Sequence, residues 1–276
     1  MTQMTTPGGL ELNKIYNESN LDTMKSMPDN FVDLTVTSPP YDNLRDYKGY
    51  SFPFENIAME LFRITKHGGV LVWVVGDATV NGSETGTSFR QALFFLDCGF
   101  RLHDTMIYSK TPSFPAATGD KRYSQSFEYM FVFSKGEPKT ANLLKDRKNK
   151  WGGSTSWGKT SERKKDGTIK EREKINVQDY GYRFNNWEYA TGKGNTTTDE
   201  IAYQHPAMFP EKLAEDHILS WSNEGDLVYD CFGGSGTTAK MAHKWKRNWI
   251  LSEISSEYVQ IAEKRIAPYL AQTSLF

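Results

Sequence analysis

The sequence predicts an α/β fold: a mostly parallel sheet with helices on both faces, interrupted by a large basic insertion. Three observations predict it. Short apolar strands alternate with amphipathic helices at both ends of the 276-residue chain. Between them, from 136 to 203, that alternation is lost. Positive charge also gathers in this middle: Lys139 to Lys174 holds twelve basic and five acidic residues, a net +7, while the other 240 residues carry −8. A near-neutral protein with one cationic segment suits a polyanion held at one place, although a solvated charged loop has the same composition.

Leu10–Tyr16 reads as a strand and Leu21–Met27 as a short helix closed by Pro28-Asp29-Asn30. Phe31–Thr37 is rich in β-formers and runs into Ser38-Pro39-Pro40-Tyr41. Glu55–Lys66 places Ile57, Leu61 and Ile64 on one helical face, and Gly68-Gly69 is expected to end that helix. Val70–Val75 is continuously apolar, the pattern of a parallel strand covered on both faces. A loop at 76–88, a helix at Phe89–Asp97 stopped by Gly99, and strands at Leu102–Tyr108 and Glu128–Phe133 follow. The 136–203 segment shows no period, yet Trp151, Trp157 and Trp187 argue against plain disorder. These indoles suit either stacking platforms or a small local core. Order returns with a helix at Pro210–Ser220, a strand at Leu227–Cys231, a helix at Ser235–Lys246, a strand at Trp249–Ser252 and a helix at Glu257–Leu270. The expected organisation is therefore 10–135 and 204–276 as two halves of one domain, with 136–203 inserted between them.

Several classes are disfavoured. The Val70–Val75 run is far short of the roughly 20 residues of a membrane span. The segment MTQMTTPGG lacks a basic stretch followed by an apolar one, so no secretory leader is expected. Cys98 and Cys231 make no disulfide framework, and five scattered histidines show no metal-ligand spacing. A cytoplasmic, metal-free protein is expected.

Two motifs carry chemistry. Asp230-Cys231-Phe232-Gly233-Gly234-Ser235-Gly236-Thr237-Thr238 lies between an apolar strand and a helix, where glycines allow sharp turns and close approach and the helix start offers N–H groups. Glu253 ends the next strand, where a carboxylate can accept from ribose hydroxyls. Alone, this fits a dinucleotide site, or a glycine turn that binds nothing. Only 38 residues follow Thr238, room for one more strand–helix unit, so the remaining strands must come from the N-terminal half and the Rossmann-like order must be circularly permuted. The second motif is Ser38-Pro39-Pro40-Tyr41 at a strand end. Prolines fix the backbone and supply carbonyls without N–H donors. Ser38 Oγ and the Pro39 carbonyl could accept from an NH2 group while Tyr41 stacks on the ring that bears it; a surface Pro-Pro turn is the plain alternative.

Taken together, with IYNESNLD at 15–22, VLVWVVGD, HPAMFPEKL at 205–213 and SEISSEYVQIAEKRI at 252–266, these motifs resemble the β class of DNA amino-methyltransferases. The resemblance implies S-adenosyl-L-methionine as cofactor, double-stranded DNA as substrate and the basic insertion as a target-recognition region. It implies a catalytic role for Ser38, Pro39, Pro40 and Tyr41, and a cofactor site from Asp230, Phe232, Gly233, Gly234, Ser235, Gly236, Thr237, Thr238 and Glu253. His205, Pro206, Phe209, Pro210 and Leu213 match the block beside the cofactor's methionine end. Ser19 stands where many members carry an Asp near the adenine ring, and Phe209 where many adenine-specific members carry Lys. The Ser-Pro-Pro-Tyr form favours cytosine N4 over adenine N6 as the methylated atom. The base is expected to flip out of the duplex, with no covalent intermediate and no cysteine nucleophile. Lys148, Lys150, Arg163, Lys164 and Lys165 are the expected phosphate contacts. A homodimer, a cognate restriction endonuclease and association with the nucleoid complete the expectations.

Overall fold

A computed structural model describes residues 9–40, 52–111, 121–155, 160–172, 176–205 and 207–272. Tyr41, Trp157 and Pro206 lie outside the described residues. The chain divides into two compact units, Leu143–Phe184 and the remainder.

The larger unit is built on an eight-stranded sheet: β1 (Lys14–Tyr16), β2 (Val32–Thr37), β3 (Thr65–Val75), β4 (Arg101–Thr111), β5 (Phe127–Ser134), β6 (Asn186–Ala190), β7 (Leu227–Asp230) and β8 (Asn248–Ser252). The spatial order is β1-β8-β7-β2-β3-β5-β4-β6. Neighbours pair in parallel except at β5, which runs antiparallel to both β3 and β4. From the β7–β2 seam the chain leaves in opposite directions, β2 to β3 on one side and β7 to β8 on the other. In open α/β sheets ligands bind outside the carboxyl ends of strands at such a reversal.

Among the described residues, six α-helices accompany the sheet: α1 (Asn20–Lys25), α2 (Phe54–Ile64), α3 (Thr87–Asp97), α4 (Glu211–Trp221), α5 (Thr237–Lys244) and α6 (Ser256–Gln272). Ile57 and Leu61 of α2 and Phe95 of α3 share a core with Leu71, Trp73 and Val75, the alternate residues of β3. All of Val70–Val75 is buried, as its unbroken apolar run requires of a strand covered on both faces. Helix α5 packs against both α4 and α6, and α4 packs against β2 and β3.

Two expectations are corrected. The Gly68-Gly69 pair does not cap α2, which gives way directly to β3 at Thr65. Gly68 has φ +81°, and a Cβ on Gly69 would meet the Lys66 carbonyl oxygen at 2.9 Å and that of Asp33 at 3.0 Å. The pair serves the irregular β2–β3 register between Val32 and Leu34. The stretch expected to be without period also contributes the edge strand β6, where Trp187 and Tyr189 are buried and their neighbours exposed. Trp187 is therefore a core residue of the larger unit.

The smaller unit holds a hairpin, Thr160–Arg163 with Ile169–Arg172, and a short ladder of Arg147–Lys148 with Tyr180–Gly181. Its limits, 143 and 184, are narrower than the expected 136–203.

Candidate active site at the β7–β2 seam

Strands β7 and β2 are registered Val228 to Leu34 and Tyr229 to Thr35, so their carboxyl ends, Asp230 and Thr37, emerge together. Asp230 is fully buried. Its Oδ1 accepts from Thr37 Oγ1 at 2.6 Å and from the Phe232 amide at 3.0 Å; its Oδ2 accepts from Thr238 Oγ1 at 2.7 Å. Burial pushes this carboxyl above its usual range, and the three hydrogen bonds pull it back. The same side chain thus joins the residue before Ser38 to Thr238 in the first turn of α5. Pro39 is buried, whereas Ser38 and Pro40 are half-buried beyond the carboxyl end of β2. Cys231 is buried with its Sγ 3.6 Å from Thr37 Oγ1, and burial and the Asp230 charge push its thiol well up, which keeps it protonated.

The glycine loop is shaped chiefly by the protein around it. Gly234 has φ +49°, and a Cβ there would meet His205 Nε2 at 3.0 Å. A side chain at 234 would therefore displace His205. Gly236, at φ +78°, lets α6 approach to 3.0 Å from where its Cβ would stand, against Ala262 and Ile266. His205 Nδ1 accepts from the Ala207 amide at 3.2 Å, and its ring lies edge-on to Tyr258. The HPAMF block and the loop are thereby brought together.

Glu253 follows β8. Its Oε2 accepts from the Gly234 amide and its Oε1 from the Ser255 amide, both at 2.8 Å. Burial raises its pKa against these two bonds. Each oxygen keeps a second lone pair, so a ribose hydroxyl could still be accepted. Just after β1, Asn17 Nδ2 donates to the Glu253 carbonyl, and at the start of α1 Asn20 Nδ2 donates to the Cys231 carbonyl. Ser19 caps α1, accepting from the Leu21 amide at 3.3 Å. Phe232 meets Phe52 and Trp73 edge to face, giving the seam an aromatic wall. Phe209 is half-buried and Pro210 caps the start of α4.

Sequence reasoning missed the support behind the loop. Arg265 has no exposed side-chain area and donates to Ser235 O at 3.0 Å, Thr237 Oγ1 at 2.9 Å and Asp199 at 2.7 Å, and also to Glu211. Lys240 joins the same two carboxylates, each at 2.7 Å. Two cations thus meet two acids at the base of α5, and one cation grips the loop itself. The only sequence signal was a pair of basic residues on otherwise apolar helix faces. Thr37 was equally hidden, as a threonine inside a strand.

The five basic residues assigned to DNA all lie in the smaller unit and are exposed. Arg163 ends the first hairpin strand, and Lys164 and Lys165 enter its turn, where Lys164 N donates to Thr168 O and Gly167 takes φ +83°. Asp166 accepts from the Thr168 hydroxyl and amide, which hold its carboxyl below the usual range. Lys148 pairs across the short ladder with Tyr180.

Residues 32–264 match the N6/N4 family described as DNA methylase, and the chain belongs to this family. It is 61% identical over 242 residues to the orphan methyltransferase M.BamHII of Bacillus amyloliquefaciens, covering 87% of this chain and 90% of that protein. It is 28% identical to the Type II methyltransferase M.BglII of Bacillus subtilis, over 91% of this chain and 68% of that protein. Among solved structures, the cytosine-N4-specific PvuII DNA methyltransferase superposes with a TM-score of 0.67 at 21% identity, over 93% and 90% of the two chains. M1.HpyAVI, solved as its complex with SAM, gives a TM-score of 0.59 at 21% identity, over 91% and 98%.

Proposed function

We propose that the chain methylates the exocyclic amino nitrogen of a base in double-stranded DNA, cytosine N4 in the first instance, at the seam between β7 and β2. The observation that supports this most is the buried Asp230 tie, which fixes the Ser38-Pro39-Pro40 turn and the glycine loop in one frame. S-adenosyl-L-methionine, as found with M1.HpyAVI, would be held by Glu253, Phe232 and the loop from Gly233 to Thr238, with His205 closing over Gly234 and Ser19 at the start of α1. The lone pairs left on Glu253 and the backbone groups at the start of α5 fit a ribose and a zwitterion. The cofactor supplies an electrophilic methyl on a sulfonium.

The protein's part is positioning. The amine is a weak nucleophile because its lone pair is delocalised into the ring. Ser38 Oγ and the Pro39 carbonyl would accept its hydrogens and favour a tetrahedral nitrogen, while Tyr41 stacks on the flipped ring. Ser38 in the first position supports cytosine; an acidic residue or Asn there would speak for adenine. The chain order of the strands is read as the permuted arrangement, with 10–135 the catalytic half, 204–276 the cofactor half and the segment between them the target-recognition region. Lys148, Lys150, Arg163, Lys164 and Lys165 would meet phosphates. A nucleoid setting, self-association and a partner endonuclease belong to the same reading.

Nucleoside mass spectrometry of DNA from cells expressing the chain tests it. N4-methylcytosine is the expected product. N6-methyladenine instead would move the assignment to adenine, and absence of both modified bases would overturn the proposal.

A further inference from the structure

The smaller unit carries an aromatic face that phosphate binding by lysines leaves unexplained. Past the two-residue ladder one more backbone bond joins its arms, the Arg183 amide donating to the Leu144 carbonyl at 3.0 Å. Exposure alternates along this segment, with residues 180, 182 and 184 exposed and 181 and 183 partly covered, as it would if the three shared one side. All three are large rings left in solvent: Tyr180 is 50% exposed, Tyr182 58% and Phe184 67%. Trp151 in the same unit is 66% exposed. Rings of this size are normally buried, because they offer the largest gain on leaving water.

Each of three rings also has a cation against it. The Arg147 guanidinium carbon lies 4.4 Å from the Phe184 centroid, Lys150 Nζ 5.2 Å from that of Trp151, and Lys145 Nζ 6.0 Å from that of Tyr182. The cores of protein–protein interfaces are depleted in lysine. Rings interleaved with cations instead match a chain that alternates flat bases with phosphates.

We propose that this face is a stacking platform for unpaired nucleotides, with bases on Phe184, Tyr182 and Trp151 and phosphates on Lys145, Arg147 and Lys150. It rests on the DNA reading above and adds to it a binding activity toward single-stranded DNA. The platform would favour any site at which the duplex has opened, because a base out of the stack finds a ring to lie on. The hairpin at Arg163–Lys165 would then grip paired DNA while the ladder receives what is unpaired.

The test uses the full-length protein, a single-stranded oligonucleotide of about 20 nucleotides and a fully paired duplex of equal length, followed by fluorescence anisotropy over a salt series. Phe184→Ala and Tyr182→Ala should each weaken single-strand binding roughly fivefold or more with the salt slope unchanged, since no phosphate contact is removed. Phe184→Tyr keeps the ring and should retain affinity, and melting temperatures equal to wild type would show that the exposed changes leave the fold intact. Arg147→Gln should instead lower the slope by about one. Unaltered single-strand affinity in the Tyr182→Ala/Phe184→Ala pair, with duplex methylation intact, would overturn the platform and leave the methyltransferase reading standing. Wild-type protein that binds neither DNA would overturn both.

Discussion

The β7–β2 seam and the 143–184 unit solve opposite problems with the same residue types. At the seam, charges are buried and hydrogen-bonded: Asp230 accepts three hydrogen bonds, and Arg265 is held by two carboxylates and the glycine loop. In the smaller unit, charges and rings face solvent, and order comes from a hairpin, a two-residue ladder and cation–ring contacts. The difference teaches where precision is built. A methyl transfer needs atoms fixed to a fraction of an ångström, which demands an over-determined frame. Meeting a long polyanion needs accessible charge, which demands that the frame be left open.

Arg265→Met should separate the two regions most sharply. Removing the buried cation leaves the half-buried Asp199 and Glu211 to share Lys240, for an expected loss of about 2–3 kcal/mol. Thermal unfolding should show a Tm fall of several degrees together with weaker cofactor binding. An unchanged Tm would mean that Lys240 alone satisfies both acids.

A smaller effect is expected at the back of α4, where Glu215 meets Lys212 at 2.8 Å, Lys244 at 2.6 Å and Trp245 Nε1 at 2.8 Å. Burial opposes ionisation there, but these partners prevail and hold the carboxyl at about 2 instead of 4.5. A depressed acid contributes stability above its unfolded pKa and loses it as pH falls, here from 4.5 towards 2. Glu215→Gln should therefore cost about 1–2 kcal/mol at neutral pH, discounted because both lysines are half in solvent. The gap from wild type should close as unfolding is followed down to pH 2; a gap independent of pH would assign the effect to packing.

In the smaller unit the matching change is Arg163, Lys164 and Lys165 to Gln together. Stability should move by under about 0.5 kcal/mol, because these side chains are exposed. The slope of log affinity against log salt should flatten by up to about three. Unaltered duplex affinity at low salt would reduce the run to a solvated turn.

The contrast also explains what the sequence made legible. Periodicity worked wherever burial is one-sided or complete, as in α2 and Val70–Val75. Glycine motifs announced a tight loop, but not that His205, Ala262 and Ile266 are what make Gly234 and Gly236 tight. The ties themselves were unreadable, because Thr37, Asp199 and Arg265 acquire meaning only when strands and helices far apart in sequence meet. In the basic segment two short-range signals went unused. Asp166-Gly167 between Thr160–Arg163 and Ile169–Arg172 is a hairpin turn signature, and Trp187-Glu188-Tyr189 already shows strand alternation. High charge around them hid both.

The central claim is that one buried carboxylate holds the Ser38 turn in register with the glycine loop, and Thr37→Val tests it most directly. Valine keeps the shape and removes only the hydroxyl that donates to Asp230 at 2.6 Å. Single-turnover methyl transfer should be measured beside calorimetric S-adenosylmethionine affinity, with Ser38→Ala as the reference for damage at the turn itself. A lost hydrogen bond to a buried charged group, about 1.5–3 kcal/mol, implies transfer roughly ten to a hundred times slower if the turn drifts. Cofactor affinity should stay within about twofold, since Thr238 and the Phe232 amide still hold Asp230, and Thr37→Ser should restore the rate. A wild-type rate in Thr37→Val, with Ser38→Ala impaired, would show that the turn works without the tie and contradict the account.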